Sequence, residues 1–160
     1  MSISKEEFRR ALSRFASGVT VVTTKDSNGK LYGITVSAFC SVSLSPPLIL
    51  VCIERTTGSH HALAASKRFV VNILSENQQN LSNHFALPSD DKFAGVDFRA
   101  GIEEIPVLNG ALVNLECRLR NSYEGGDHTI YVGEIENAVV NDGNPLLYFH
   151  GNYREIENLS

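Results

Sequence analysis

Alternation of apolar and polar residues from 111 to 120, broken only at Leu112, constrains the fold of this chain more than any other feature. Apolar residues stand at positions 111, 113, 115, 117 and 119, and polar residues stand at 114, 116, 118 and 120. A period of two is typical of a β-strand with one buried face and one solvated face. Such strands belong mainly to antiparallel sheets, so this stretch predicts an antiparallel β protein.

Other short runs predict further strands joined by tight turns. The predicted strands cover residues 19–24, 31–37, 48–53, 69–74, 111–119, 128–140 and 146–149. The continuous apolar run at 48–53 indicates a strand buried on both faces. The alternation in 128–140 slips after Gly133, which favours a β-bulge there. The sequence Asn28-Gly29 is a strong hairpin-turn signal between the first two strands.

Helices are predicted in three places. Ser4 and Glu7 form a capping box, and Phe8, Ala11, Leu12 and Phe15 then follow on one helical stripe. A short helix is predicted over 60–66, and a third begins at the capping box of Ser75 and Gln78 and carries Leu81 and Phe85. Residues 88–106 are predicted to form a long loop.

The chain is expected to fold as one domain over residues 1–160, because its length leaves little room for two. Six to eight short strands with two or three helices lack the strand–helix–strand rhythm of a parallel sheet. A mainly β fold follows, most simply a small closed antiparallel barrel with a few peripheral α-helices.

Composition argues against several classes of function. Fourteen Lys and Arg residues against 18 Asp and Glu leave a net charge of −4, which argues against nucleic-acid binding. No apolar run approaches the length of a membrane span, and no signal-peptide pattern is seen, so we expect a cytoplasmic protein with no membrane partner. The three cysteines are widely spaced and predict buried free thiols. His60 and His61 are adjacent and cannot both face one metal on a helix, so no metal site is expected.

Hydroxyl side chains form the first candidate site. They stand at positions 35, 37, 41, 43 and 45, which would place them on one side of an extended chain. Such a row is either the solvated face of an amphipathic strand or a cradle for a flat polar ring and a phosphate. A second hydroxyl cluster, Thr56-Thr57-Gly58-Ser59, precedes the short helix, where free amides and the helix dipole favour an anion.

The sequence Gly125-Gly126-Asp127-His128 forms the second candidate site. It is either a glycine turn with an incidental histidine or a space for a planar ligand with His128 at its rim. A histidine in that position can hydrogen-bond a substrate amide or share a proton. Motifs for phosphate loops, dinucleotide-binding Rossmann folds, zinc proteases and serine hydrolases are missing from the sequence.

Several segments together resemble one known family. They are FASGVTVVTT (15–24), Gly33-x-Thr35-x-Ser37-x-Phe39, SVSLSPPL (41–48), FVVNIL (69–74), Phe85-Ala86, Gly126-Asp127-His128, Val132-Gly133-Glu134 and PLLY (145–148). The chain resembles the short-chain flavin reductases, which are the reductase components of two-component flavin monooxygenases. The resemblance runs in the same order from about Phe8 to Tyr153.

The resemblance implies a fold, ligands and an activity. The fold would be an FMN-binding split β-barrel with a Greek-key-like antiparallel arrangement, assembled as a homodimer. The chain would bind FMN or FAD, oxidise NADH or NADPH, and supply reduced flavin to a flavin-dependent monooxygenase. Stacking the two rings is the main task of such a protein, which accounts for the missing catalytic motifs.

The resemblance also implies roles for individual residues. Flavin-binding roles fall on Thr35, Val36, Ser37, Ser41, Val42, Ser43, Cys52, Ile53, Thr57, Ser59, Phe85 and Lys92. His128 would be the catalytic residue that contacts the nicotinamide, and Tyr153 would close that pocket. Arg55 is the only permanent positive charge in the loop from Ile53 to His61, so the choice between FMN and FAD stays open.

Two other functions fit the same residues. The chain could be a flavin-binding electron-transfer or storage module without NADH activity of its own. It could also be a reductase that passes electrons to another acceptor, such as a corrinoid or a ferric chelate.

Overall fold

The computed structural model describes residues 3–156, which contain twelve strands, three α-helices and two 3₁₀ turns. The helices are α1 (Lys5–Leu12), α2 (Gly58–Ser66) and α3 (Gln79–Ala86). The strands are β1 (Ser17–Gly18), β2 (Thr20–Lys25), β3 (Leu31–Val36), β4 (Phe39–Ser43), β5 (Leu48–Glu54), β6 (Arg68–Ile73), β7 (Phe98–Ala100), β8 (Pro106–Leu108), β9 (Val113–Gly125), β10 (His128–Val140), β11 (Leu147–Phe149) and β12 (Asn152–Arg154).

The main sheet is an antiparallel barrel that is split at one seam. Its strand order is β3-β2-β6-β9-β10-β5-β4, so the two edge strands, β3 and β4, are consecutive in the chain. Only Ser37 and Ala38 separate them, and the backbone amide of Cys52 donates to the Ala38 carbonyl at 3.1 Å. The sheet must therefore curl until its edges meet near these residues. The predicted split β-barrel is confirmed.

Two apolar clusters fill the two sides of this curled sheet. The first lies inside the barrel and includes Val51, Ile53, Phe69 and Tyr131. The second packs between β2 and α3 and includes Val21, Leu74 and Phe85. Burial of these side chains supplies the main stabilisation of the fold, and it fixes α3 and the end of β3 against each other.

The structure corrects three expectations about the strands. β5 is buried on alternate residues only, because its other face, with Leu50 and Cys52, is half-exposed on the outside of the barrel. The predicted loop 88–106 contains β7 and leads into β8, and the two strands pair. Glu116, predicted to be solvated, is buried, because this same segment lies over it and the Ile102 amide donates to its carboxylate.

Local signals elsewhere are confirmed. The ladder between β9 and β10 shifts register between Val132 and Gly133 and again between Ile135 and Asn137, so it is irregular on both sides of Gly133, after which the bulge was predicted. The Ser4 hydroxyl accepts from the Glu7 amide and completes the capping box of α1. The apolar stripe of α1, however, is not buried against the rest of the described chain.

The three cysteines are free thiols, as expected, but they are not all buried. Cys117 is buried, Cys52 is half-buried and Cys40 is exposed. The expectation of burial is therefore wrong for Cys40, because β4 is an edge strand that carries this side chain to the outside.

Candidate functional site

The seam of the barrel brings together several of the predicted residues. In the β5–β10 ladder His128 lies opposite Glu54, and Ile130 lies opposite Cys52. Directly opposed residues project to the same face of a sheet, so His128 and Cys52 share the outer face beside the seam. The exposed Ser37 lies on the link that closes the barrel at this point.

A cleft of about 790 Å³ lies next to the seam. Its walls are β3 from Leu31 to Ile34, the loop from Glu54 to Ser59, and the segment from Ala86 to Lys92. Three predicted flavin-binding residues, Thr57, Ser59 and Lys92, line this cleft. Because Glu54 belongs to its wall and pairs with His128, the cleft and the histidine are neighbours.

The N-terminus of α2 opens into the cleft. Thr57 is its N-cap: its hydroxyl accepts from the His60 amide at 3.3 Å and donates to the Glu54 carbonyl at 2.9 Å. The amides of Gly58 and Ser59 occupy the first helical turn and have no intrahelical acceptor. Such amides, with the positive end of the helix dipole, are suited to an anionic group.

Lys92 places its ammonium group beside the cleft. Its Nζ donates to the carbonyl oxygens of Gly33 at 3.1 Å and Phe85 at 2.8 Å. Burial lowers the pKa of this lysine below its usual value. An ammonium group has three N–H donors, so one is left for a ligand while two fix α3 to β3.

The prediction that five hydroxyls lie on one side of an extended chain is wrong. The chain turns at Ser37 and Ala38, where the Phe39 amide donates to the Ser37 carbonyl, so Thr35 and Ser41 lie on opposite edges of the sheet. The Thr35 hydroxyl donates to the Ser82 carbonyl at 2.6 Å and thereby anchors α3. On β4, Ser41 is exposed, as is Val42, and Ser43 is half-buried.

Three other predicted residues direct their side chains into the core. Val36 and Ile53 are buried inside the barrel, and Phe85 is buried beneath α3. Any contact that these residues make with a ligand would have to come from their backbone atoms. Phe85 also explains the glycine at position 33: a Cβ on Gly33 would collide with the Phe85 ring.

His128 is held in a defined orientation at the start of β10. Its Nδ1 lies 2.7 Å from a carboxylate oxygen of Asp127, and its side chain is 43% exposed. This hydrogen bond is the largest cause of the lowered pKa of Asp127, and the charge of His128 adds to it. With Nδ1 engaged, Nε2 is the nitrogen available to a substrate.

Tyr153 belongs to a different part of the site. Its hydroxyl pairs with the Ser82 hydroxyl and the Asn83 side-chain oxygen, both at 2.8 Å. Because Thr35 bonds the carbonyl of the same Ser82, these contacts join Tyr153 to β3. In the part of the chain that the structure describes, no hydrogen bond or ring contact connects Tyr153 with His128.

Sequence reasoning missed two residues that the structure places at the site. Glu54 stands between His128 and the cleft, and its carboxylate accepts from the Thr56 hydroxyl at 2.9 Å. Tyr32 lies on the cleft wall, and a Cβ on Gly58 would come within 2.9 Å of its ring. The position of Glu54 at the end of a predicted strand could have indicated a site residue. The contact between Tyr32 and Gly58 could not be predicted, because it depends on tertiary structure.

Residues 3–156 contain no group of three or more His, Cys, Asp or Glu side chains that could hold a metal ion. Over the same residues, no helix is long and apolar enough to cross a membrane.

Comparison with known proteins identifies the family. A family model described as a flavin reductase like domain matches residues 12–157. The chain belongs to the flavin reductase-like family. Its relatives include the reductase component of a 4-nitrophenol 4-monooxygenase/4-nitrocatechol 2-monooxygenase from Rhodococcus opacus, which is 42% identical over 94% of this chain and 80% of that protein.

Two further comparisons define how far the similarity extends. A flavin reductase-like relative from Rhizobium meliloti is 42% identical over 91% of this chain, but the match spans only 47% of the relative's length. The solved structure of an NADH:FAD oxidoreductase, SgcE6, from Streptomyces globisporus, in complex with NAD and FAD fragments, superposes with a TM-score of 0.93. It is 38% identical and covers 98% of this chain and 95% of that chain.

The residues present fit a flavin. The amides at the α2 N-terminus, the hydroxyl of Ser59 and the free N–H of Lys92 form a donor set suited to a phosphate. Gly58 keeps this end of the cleft open, since a side chain there would meet Tyr32. The half-buried outer face beside Cys52 offers apolar surface for a flat ring.

Proposed function

We propose that this chain is an NAD(P)H-dependent flavin reductase that supplies reduced FMN or FAD to a partner monooxygenase. Family membership supports the reductase activity. The Rhodococcus opacus relative is the reductase component of a monooxygenase, which supports the partner. The similarity to an NADH:FAD oxidoreductase supports a nicotinamide co-substrate, either NADH or NADPH.

The observation that carries the proposal is the position of His128 relative to the cleft. The α2 N-terminus provides an anion site at one end of the cleft, and Glu54 joins that cleft to His128. A ligand with a phosphate at one end and a flat ring at the other matches this order of groups. We assign the phosphate to Thr57, Ser59 and Lys92 and the ring to the seam near Ser37 and Cys52.

Protein side chains have few chemical tasks in this proposal. When bound, the flavin supplies the redox chemistry by accepting a hydride from the reduced nicotinamide. The seam orients the two rings and excludes water between them. His128 holds the nicotinamide side chain through Nε2, while Asp127 fixes the histidine ring through Nδ1.

We further propose a homodimer that works in the cytoplasm. The apolar stripe of α1 and the outer face of β5 leave apolar side chains uncovered in a single copy, which supports association of two copies. A reducing compartment suits three free thiols. His128 and Tyr153 would share one nicotinamide pocket if the second copy supplies one of them.

An anaerobic spectroscopic titration tests the function. Purified protein is mixed with FMN or FAD, and NADH or NADPH is then added while the flavin absorbance is followed. Loss of that absorbance at a rate far above the protein-free control is expected. If the protein binds flavin but neither NADH nor NADPH removes the flavin absorbance, it would instead be a flavin carrier or storage module.

The final acceptor is tested in the same format. After reduction, a monooxygenase component, a corrinoid or a ferric chelate is added in parallel samples. We expect the oxygenase to bind the reduced flavin and, once dioxygen is admitted, to oxidise it, without any direct reaction between the reductase and the other two acceptors. Preferential reduction of a corrinoid or ferric chelate would overturn the assignment of the partner.

A further inference from the structure

The cleft beside the seam carries two carboxylates as well as the groups that suit a phosphate. Glu54 lines it from the end of β5, and Asp90 lines it from the segment between α3 and β7. Both residues are exposed, and neither makes an ion pair among residues 3–156. Their negative charges are therefore not neutralised by a direct partner in that part of the chain.

Glu54 is held against the loop that leads into α2. Its carboxylate accepts a hydrogen bond from the Thr56 hydroxyl at 2.9 Å, and its carbonyl accepts one from the Thr57 hydroxyl at 2.9 Å. Thr57 is the N-cap of α2, and the first turn of that helix contains no acidic residue. Glu54 therefore brings a negative charge to this helix end, where the helix dipole favours one.

A negative charge at this position has opposite effects on the empty and the occupied cleft. In the empty cleft the Glu54 carboxylate complements the positive end of α2. In the occupied cleft it lies near the phosphate that we assign to the same helix end, and like charges repel. A phosphate monoester carries about −1.5 to −2 charges at neutral pH, so the repulsion acts on nearly two charges.

The lysines of the cleft only balance these carboxylates. Lys30 and Lys92 line the cleft, so that its walls hold two positive and two negative side chains. Lys92 directs two of its N–H groups to backbone carbonyls, and the Lys30 ammonium group lies over the Tyr32 ring, 5.6 Å from its centroid. A phosphate is therefore attracted by local amides and one free N–H rather than by a net positive field.

We propose that Glu54 and Asp90 set the affinity of the cleft for flavin, because their charges weaken binding of the flavin phosphate. This inference rests on the proposed function, since it concerns the phosphate assigned to this cleft. A reductase that supplies reduced flavin to another protein has to release that flavin. Two carboxylates that oppose the phosphate keep the flavin exchangeable, so that it behaves as a substrate and not as a permanently bound group.

The test compares FMN with riboflavin, which has the same ring and ribityl chain but no phosphate. Glu54→Gln and Asp90→Asn each remove one negative charge and preserve the size of the side chain. Fluorescence titration in about 0.02 M salt is expected to show a Kd for FMN about threefold lower in each variant and about tenfold lower in the double variant. The Kd for riboflavin should not change, because riboflavin has no charge for the carboxylates to repel.

A matched control and a change of salt separate the local effect from net charge. Asp142→Asn removes the same unit of charge from an exposed residue that does not line the cleft, and it should leave both Kd values unchanged. In about 0.5 M salt, screening should reduce the effect of the double variant on FMN to less than about twofold. Circular dichroism melting curves check that every variant is folded.

Three results would overturn the inference. The first is an unchanged or higher Kd for FMN in the double variant. The second is an equal change in the FMN and riboflavin constants, because the effect would then not depend on the phosphate; if both rise in Glu54→Gln, the carboxylate binds the ribityl hydroxyls instead. The third is tighter FMN binding that persists undiminished in about 0.5 M salt.

Failure of the proposed function gives a different result. A native chain that binds neither FMN nor riboflavin would count against the flavin site itself. A native chain that binds both flavins, with constants that the variants do not alter, would leave the flavin site in place and remove Glu54 and Asp90 from their proposed role.

Discussion

His128 is positioned by its own backbone neighbour as well as by the sheet. Asp127 holds Nδ1, and the strand register sets the ring beside Glu54 at the end of the cleft. We expect His128→Ala to slow NADH-dependent flavin reduction about tenfold or more, because a hydrogen bond to the nicotinamide is lost. Flavin affinity should persist, since the proposed phosphate site lies on α2.

Anaerobic stopped-flow reduction and flavin fluorescence titration measure the two effects separately. His61→Ala is the matched control, because His61 is an exposed histidine on α2 that does not line the cleft. Reduction kinetics unchanged by His128→Ala would remove His128 from its proposed role.

The three thiols should differ sharply in reactivity. Burial, with the charges of Glu136 and Glu116, raises the pKa of Cys117 to about 12, and burial also raises the pKa of Cys52. The thiolate is the reactive form, so timed alkylation near neutral pH should modify exposed Cys40 first, Cys52 more slowly and Cys117 only after unfolding. Mass spectrometry of the folded protein checks this order; early labelling of Cys117 would contradict it.

Bound flavin adds a second test with the same reagent. Cys52 lies on the outer face beside the seam, and Cys40 projects from the same face of the neighbouring edge strand β4, opposite Leu50. Bound FMN is therefore expected to slow labelling at Cys52 and, to a smaller degree, at Cys40. Equal rates at Cys52 with and without saturating FMN would place the ring elsewhere.

At the scale of single residues, the sequence predicted those site groups whose signal is local. Thr57 and Ser59 precede a helix, and that position alone indicates free amides and an anion site. The role of Lys92 was less accessible, because its two carbonyl partners, Gly33 and Phe85, come from separate elements. Thr35 was predicted to face a ligand, but Ser82, 47 positions later in the chain, accepts its hydrogen bond.

Among the strands, the bulge in β10 provides a direct test of packing. A Cβ on Gly133 would collide with the Phe69 ring and lie 3.2 Å from the Cys117 Cβ, all inside the barrel. Gly133→Ala is expected to lower the free energy of unfolding by about 1–3 kcal/mol. For a domain of this size the loss corresponds to a Tm lower by several degrees.

Thermal denaturation compares this variant with Gly18→Ala. Gly18 is the matched control, because no heavy atom lies within 4 Å of a Cβ built there and its φ is not left-handed. A Gly133→Ala protein as stable as Gly18→Ala would mean that the ring of Phe69 moves without cost.

The positions of the strands were largely predictable from period-two patterns. The turn that separates β3 from β4 and the segment that covers one face of β9 were not. The alternation of hydroxyls at 35–45 continues across Ser37 and Ala38, where the chain turns to close the barrel. Nothing in local spacing marks that turn, because curling of the whole sheet imposes it. In the same way, the alternating pattern predicts a solvated Glu116, because local spacing does not show that the segment with β7 and β8 covers this side chain.

At the scale of the whole molecule, a single copy leaves two apolar areas uncovered. Phe8 and Leu12 of α1 and Phe15, three residues beyond its end, are 56%, 54% and 77% exposed, and Phe8 and Leu12 form the apolar stripe of the amphipathic helix. A helix usually turns such a stripe toward a core. The outer face of β5, with Leu50 and Cys52, adds a second half-exposed apolar area. A monomer would leave both areas in water.

We therefore expect a dimer in light scattering coupled to size-exclusion chromatography. Leu12→Glu should shift the chain to a monomer, because a charge within the apolar stripe opposes its burial against a second copy. Arg14→Gln, at an exposed polar position just beyond the same helix, lowers the net charge by the same one unit and is the control for the change in charge. The monomeric variant should keep its fold and bind flavin weakly, since the second copy is proposed to wall the nicotinamide side of the seam. A native chain that elutes as a monomer and reduces flavin at full rate would contradict the dimer, and with it the proposal that His128 and Tyr153 of two copies share one nicotinamide pocket.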